Sequence, residues 1–143
     1  MREAMSLDNR QTVVRFIEAM SNGDREAAIP CLAPDVITLA KGYSQFAGVR
    51  QYDKIIGTIG AFKTLIPTGL RPIFHRIIVQ EDTVVVEWEG NGVTHTGLAY
   101  CNQYCMIFDL RDGLIKQVTE YFCTLHADTV LWPLVQDLTP AQG

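Results

Sequence analysis

Three observations predict an α+β fold with helices packed on one face of an antiparallel sheet. Through the first third of the chain, apolar residues recur at steps of three and four. After residue 70 the period changes to two, in segments rich in Val, Ile, Tyr and Phe. The switch happens once, so helices come first and a strand meander follows. At 143 residues the chain suits one domain, given roughly 100–200 residues per domain.

Val13, Phe16, Ile17 and Met20 mark the first helix, with Asp8 and Asn9 before them as candidate caps. Gly23 can end it in a left-handed conformation, and Asp24 can cap the next. That second helix, over 25–32, contains Pro30, which removes a backbone donor and shortens it. A short strand is expected over 36–39 and a loop over 41–48. Tyr52, Ile55, Ile56, Ile59, Phe62 and Ile66 predict a third helix, stopped by Pro67 and Gly69. Four strands follow at 71–80, 83–90, 98–110 and 114–125. Glu81-Asp82 and Arg111-Asp112-Gly113 are turn signals, making the first and last pairs antiparallel hairpins. A longer connection spans 91–97, and the tail after Pro133 is expected to be poorly ordered.

Apolar residues make up 48% and charged residues 20%, enough to build a core. The net charge of −4 and the lack of any Lys/Arg run argue against nucleic acid and anionic membrane as partners. No apolar stretch approaches the roughly 18 residues that span a bilayer. Met1-Arg2-Glu3-Ala4-Met5-Ser6 lacks the hydrophobic stretch of a secretory signal. A soluble cytoplasmic protein is expected. The cysteines, Cys31, Cys101, Cys105 and Cys123, form no Cys-x-x-Cys pair, and His75, His95 and His126 are not spaced as zinc partners. No metal is therefore expected, and the thiols are read as reduced, buried and inert. Cys101 and Cys105 share a strand face about 13 Å apart, too far for a disulfide.

Three stretches carry a family resemblance: Phe16-Ile17-Glu18-Ala19-Met20-Ser21-Asn22-Gly23-Asp24, Ala33-Pro34-Asp35-Val36, and Asp112-Gly113-Leu114-Ile115 leading into Glu120-Tyr121-Phe122. In these the chain resembles the nuclear transport factor 2-like superfamily over roughly residues 9–132, most closely its SnoaL-like branch of polyketide cyclases. The resemblance implies a single domain over 1–143. Its curved sheet, wrapped by about three N-terminal helices, would form a cone around an internal cavity. It also implies a homodimer through the open sheet face, where Ile107 would lie opposite Met106. Relatives include isomerases, dehydratases, cyclases, epoxide hydrolases and non-catalytic scaffolds, so the fold alone does not give the reaction.

The machinery of each relative can be matched residue by residue. Against the ketosteroid isomerases, Phe16 falls at the helix Tyr, Ala40 at the Asp base and Tyr104 at the protonated Asp. Two of those three lack an exchangeable proton. Against the limonene epoxide hydrolases, Glu120 and Glu89 fall at the two carboxylates and Glu87 at the Arg, so the cation is missing. The SnoaL-like cyclases place an acid/base group on the last strand, where Glu120 matches.

In Val118-Thr119-Glu120-Tyr121-Phe122, alternation puts Val118, Glu120 and Phe122 on one side. Facing a cavity, Glu120 would be desolvated and become a general acid or base near neutrality. Facing solvent, with Tyr121 inside, it would be one more surface charge. Tyr104 shares a face with Tyr100, Asn102, Met106 and Phe108, and the Tyr104 hydroxyl or Asn102 amide could donate to an oxyanion. Burial of Trp88 would send Glu87 and Glu89 to the opposite side, into solvent or into the cone. His75 could shuttle a proton with Glu120 or Glu87, or bind a backbone carbonyl at the cone's edge. Phe16, Met20, Tyr43, Phe62 and Met106 would line the substrate site, and the loop holding Tyr43 and Phe46 would form its mouth or lid.

The expected function is a cofactor-free acid/base enzyme of cyclase, isomerase or dehydratase type, acting on a hydrophobic carbonyl-bearing small molecule. Glu120, Tyr104, His75 and Glu87 would be catalytic, and Asn102 would bind substrate beside the apolar lining. The alternative is a non-catalytic dimeric module that binds a small molecule or a partner.

Overall fold

A computed structural model describes residues 2–138, with side chains from Asp8 onward. Helix α1 (Arg2–Ser21) starts earlier than expected, so Asp8 and Asn9 lie inside it rather than at its cap. Asn9 is buried, and its amide donates to the Glu81 carbonyl at 3.4 Å and the Asp82 carboxylate at 3.3 Å. Val13, Phe16, Ile17 and Met20 form the buried face of α1, and Phe16 meets Phe108 edge-on at 6.1 Å. Burying side chains of this size stabilises by about 1.5–3 kcal/mol each. Gly23 takes φ 65°, and a Cβ there would come within 2.6 Å of the Lys63 backbone nitrogen. Both the turn and the close approach require glycine. Asp24 accepts the Ala27 N–H at 3.1 Å to cap α2 (Arg25–Ala28), which runs into a 3₁₀ turn (Ile29–Cys31) at Pro30.

Strand β1 (Leu32–Ala40) is longer than expected, and a strand the sequence did not suggest, β2 (Gly48–Gln51), begins at the last residue of the expected loop. Helix α3 (Tyr52–Leu65) buries Ile55, Ile59 and Leu65. Four longer strands follow: β3 (Ile73–Gln80), β4 (Thr83–Val93), β5 (Ala99–Arg111) and β6 (Leu114–Phe122). They form one curved, unclosed sheet of order β2-β1-β6-β5-β4-β3, antiparallel except for the β1–β6 pair. Asp112 and Gly113 take φ of 53° and 78° in the β5–β6 turn, as a two-residue hairpin of the primed type needs.

After β6 the chain turns helical, where the sequence suggests a longer strand and a loose tail. Helix α4 (Thr124–His126) passes into a π-helical turn (Ala127–Leu131) and then α5 (Trp132–Leu138). The widened turn ends two residues before Pro133, which has no N–H and would crowd the carbonyl four residues back. Ala127, Leu131 and Leu134 are buried and hold this segment on the core. The expected disorder beyond residue 138 lies outside the described residues.

The concave face carries Val84, Val86, Trp88, Met106, Phe108 and Val118, all buried under the helices. The convex face leaves Ile73, Ile78 and Tyr121 about half exposed. Only Cys31 of the four cysteines is buried. Cys101 and Cys105 point outward because Tyr100, Asn102, Tyr104 and Met106 take the inward positions of β5, and Cys123 is also exposed. Among the described residues, no helix is long and apolar enough to cross a membrane.

Candidate functional site

Between the concave sheet and the helices lies a cavity of about 660 Å³, lined mainly by apolar side chains. Phe16 and Met20 of α1, Phe62 of α3 and Met106 of β5 contribute as the sequence predicts. The exposed Gln45, Asp53, Lys54 and Gly57 among its lining mark the mouth, beside the start of α3.

Glu120 projects into this cavity. Alternation along β6 turns Val118, Glu120 and Phe122 inward. Across the ladder Glu120 stands between Ala40 of β1 and Met106 of β5, so its carboxyl has apolar neighbours on both sides. Ala40 is small, which leaves the space beside the carboxyl open. Desolvation pushes the Glu120 pKa up to about 7, against the opposing pull of the Arg50 charge.

Tyr104 lies diagonally across the β5–β6 pair from Glu120, opposite Phe122. It is buried, and its ring stacks on Trp88 with centroids 4.2 Å apart and planes 14° from parallel. Burial first, then the Tyr100 hydroxyl and the Glu120 charge, hold its phenol well above the usual tyrosine range. Tyr104 therefore keeps its proton at any physiological pH. Tyr100, stacked on His126 at 5.1 Å, lies beside it, and burial raises its phenol as well.

Asn102 has a different place from the one expected. Its amide donates to the Tyr100 hydroxyl at 2.7 Å and the Cys123 carbonyl at 3.1 Å, while its oxygen accepts the Cys123 N–H at 3.0 Å and the Gln103 N–H at 2.7 Å. With these groups engaged and the side chain outside the cavity wall, Asn102 fastens the end of β6 to β5 and orients Tyr100.

His75 and Glu87 are also not brought to the cavity. A bulge between Phe74 and Arg76 breaks the period that would have aligned His75 with the inward Ile77 and Val79. His75 instead faces outward and meets Glu89 at 2.7 Å. Trp88 takes the inward position of β4, so Glu87 points outward, 4.0 Å from Arg76. The expected relay through His75 or Glu87 has no path to Glu120.

Tyr43 is fully exposed and lines nothing, whereas Phe46 of the same loop faces the cavity, edge-on to Trp132 at 5.3 Å. Sequence reasoning missed three parts of this site. The C-terminal helix contributes Ala127, Leu131 and Trp132; Thr38 and Arg50 line the wall from β1 and β2. Thr38 was findable, lying two residues before Ala40 on the same strand face. Arg50 gave no signal, since the four residues of β2 carry no hydrophobic period. Among the described residues, no group of three or more His, Cys, Asp or Glu side chains could hold a metal ion.

The family model of the SnoaL-like domain matches residues 13–118. No curated protein matches the chain. Among solved structures, a nuclear transport factor 2-like protein of unknown function from Burkholderia pseudomallei K96243 is similar, with TM-score 0.73 and 20% identity over 87% of this chain and 98% of that one. A protein assigned as a SnoaL-like polyketide cyclase from Jannaschia sp. CCS1 gives TM-score 0.72 and 17% identity, covering 89% and 93%. An LEH-like epoxide hydrolase from M. tuberculosis gives TM-score 0.69 and 18% identity, covering 92% and 98%. At these identities the likeness is one of fold.

Proposed function

The chain belongs to the SnoaL-like domain family, and we propose that within this fold it is a cofactor-free acid/base enzyme acting on a hydrophobic, carbonyl-bearing small molecule. The observation that carries the reading is the Glu120 carboxyl, set in the apolar interior of the cavity and poised at a pKa of about 7. A base at that pKa is populated in both protonation states at neutral pH, which is where general acid/base catalysis is most efficient.

In the proposed step the Glu120 carboxylate takes a proton from a carbon next to the carbonyl. The C–H electron pair becomes the enolate double bond, and the carbonyl oxygen takes the negative charge. The Tyr104 hydroxyl donates a hydrogen bond to that oxygen. Glu120 then returns its proton, to a second carbon in an isomerisation or to a departing β-hydroxyl released as water in a dehydration. In a cyclisation the enolate carbon attacks a second carbonyl carbon of the same substrate, whose C=O π pair moves to its oxygen and takes up the proton from Glu120.

The test is hydrogen exchange at the α-carbon of 2-tetralone in D2O, followed by NMR. The wild type should accelerate exchange, and Glu120→Gln should lose about 10²-fold or more. A Glu120→Gln variant that exchanges at the wild-type rate overturns the assignment. A ligand-binding module is the second reading, favoured by the presence of one carboxylate rather than two in the cavity interior. It predicts 2-tetralone binding with no acceleration.

We further propose that a second copy of the chain covers the convex face. The half-exposed Ile73, Ile78 and Tyr121 form the apolar part of that face, with the Arg76–Glu87 and His75–Glu89 pairs beside them.

A further inference from the structure

The polar groups of the cavity gather on one wall. Thr38 of β1 stands directly opposite Arg50 of β2, and both line the cavity. Thr38 is 6% exposed and lines the cavity from the strand side. A hydroxyl on an otherwise apolar wall offers a ligand oxygen a hydrogen-bond donor there. The Arg50 guanidinium is half-buried and positioned by one hydrogen bond, to the Phe46 carbonyl at 2.9 Å. A guanidinium carries five donors in a fixed fork, so that bond leaves donors for the cavity side. Lys54 adds a second cation at the mouth, with Asp53 as the opposing charge beside it. Helix α3 begins two residues after Arg50, and its N-cap residue, Gln51, makes no side-chain cap.

From this juxtaposition we infer that Arg50 and Thr38 form a carboxylate subsite, and that the substrate is an organic acid with an apolar ring body rather than a neutral ketone. One carboxylate oxygen would accept from the guanidinium and the other from the Thr38 hydroxyl. With the Lys54 charge opposed by Asp53 beside it, the Arg50 guanidinium and one hydroxyl suit one carboxylate. A phosphate dianion would bring excess negative charge close to Glu120. The inference rests on the Glu120 reading in one respect, the distance it sets. Thr38 precedes Ala40 by two strand positions, and Ala40 is the cross-strand neighbour of Glu120. A carboxylate seated on Thr38 therefore lies about 8 Å along the diagonal from the Glu120 position, where the reacting carbon would sit.

The experiment compares 2-naphthoate with its neutral analogue 2-naphthalenemethanol by titration calorimetry. Wild type should bind the acid at least about tenfold tighter, equal to roughly 1.4 kcal/mol. Arg50→Gln should abolish that preference and Arg50→Lys should keep part of it. Because Arg50 also holds the Phe46 loop, the near-isosteric Thr38→Val provides the independent arm. It should weaken the acid severalfold and leave the alcohol unchanged. Equal affinities in the wild type, equal losses of both probes in Thr38→Val, or no binding of the acid at millimolar concentration would each overturn the subsite. Glu120-dependent exchange on 2-tetralone without an acid preference refutes the subsite and spares the proposed function. An acid preference with Glu120-independent exchange does the reverse.

Discussion

Asp128 accepts the hydroxyl of Ser44, 84 positions earlier in the chain, at 2.6 Å. The same carboxylate accepts the Gln45 N–H at 3.1 Å, and the Ser44 oxygen in turn accepts the Phe46 N–H at 3.0 Å. These bonds pin the loop between β1 and β2 to the π-helical turn, and the Phe46–Trp132 contact closes the cavity beside them. The wall of the site is thus built from two segments that gave no regular pattern in the sequence. Asp128→Ala should lower stability by about 1–2 kcal/mol, as loss of hydrogen bonds to a charged acceptor does. It should also raise amide exchange at Gln45 and Phe46 selectively. Unchanged protection at those two amides would show that the clamp does not hold the loop.

Glu120 couples stability to pH in a direction opposite to that of most carboxylates. Its folded-state pKa of about 7 lies above the ordinary 4.5, so the folded state holds this proton more tightly than the unfolded chain. The stabilising proton is fully in place below about 4.5 and is lost as pH rises through about 7. Wild type should therefore lose about 1–3 kcal/mol relative to Glu120→Gln between those limits, with the gap constant above pH 8. Thermal melts of the two proteins at pH 4.5, 6, 7 and 8.5 measure it. A Tm difference that does not change across the series would mean that Glu120 titrates as a solvated carboxyl.

Tyr104→Phe separates the hydroxyl from the ring. The stack on Trp88 survives the substitution, so stability should change by less than about 1 kcal/mol. The exchange rate on 2-tetralone should fall by roughly 10-fold to 10²-fold, the loss of one oxyanion donor. A rate unchanged in a folded Tyr104→Phe variant would make Tyr104 a packing residue.

Much of this was legible because it depends on local pattern. The inward set of β5 and the Val118-Glu120-Phe122 face of β6 follow from strict alternation. Gly23 and Asp24 follow from capping chemistry. Other features depend on non-local events that leave no periodic trace. His75 faces out because one bulge in β3 shifts the phase of everything before it. Asn102 reads like a cavity residue by face, yet the Cys123 backbone and Tyr100 hydroxyl claim it. Pro133 reads as the start of a loose tail, but it sits near the start of α5 after a widened turn, where its missing N–H costs little. Arg50 reaches the cavity through its pairing with Thr38, which only the tertiary fold creates.

The convex face supplies the last prediction. Tyr121 is 47% exposed there, opposite Cys105 on the neighbouring strand, and the Val85–Ile107 pair lies on the same face. In an isolated chain Tyr121→Asp would place a charge in water, at a cost within about 0.5 kcal/mol. In a symmetric dimer it would bury a carboxylate from each copy in an apolar interface, which is far more costly. Wild type should therefore sediment at twice the 16.0 kDa chain mass at micromolar concentration. Tyr121→Asp should sediment at the single-chain mass with its circular dichroism unchanged. Because His75 and Glu87 lie on this outer face and away from Glu120, His75→Gln and Glu87→Gln should leave 2-tetralone exchange within about twofold of wild type. A wild type already at single-chain mass would remove the second copy from this face. A large rate loss in either of the two substituted proteins would return the outer face to the chemistry.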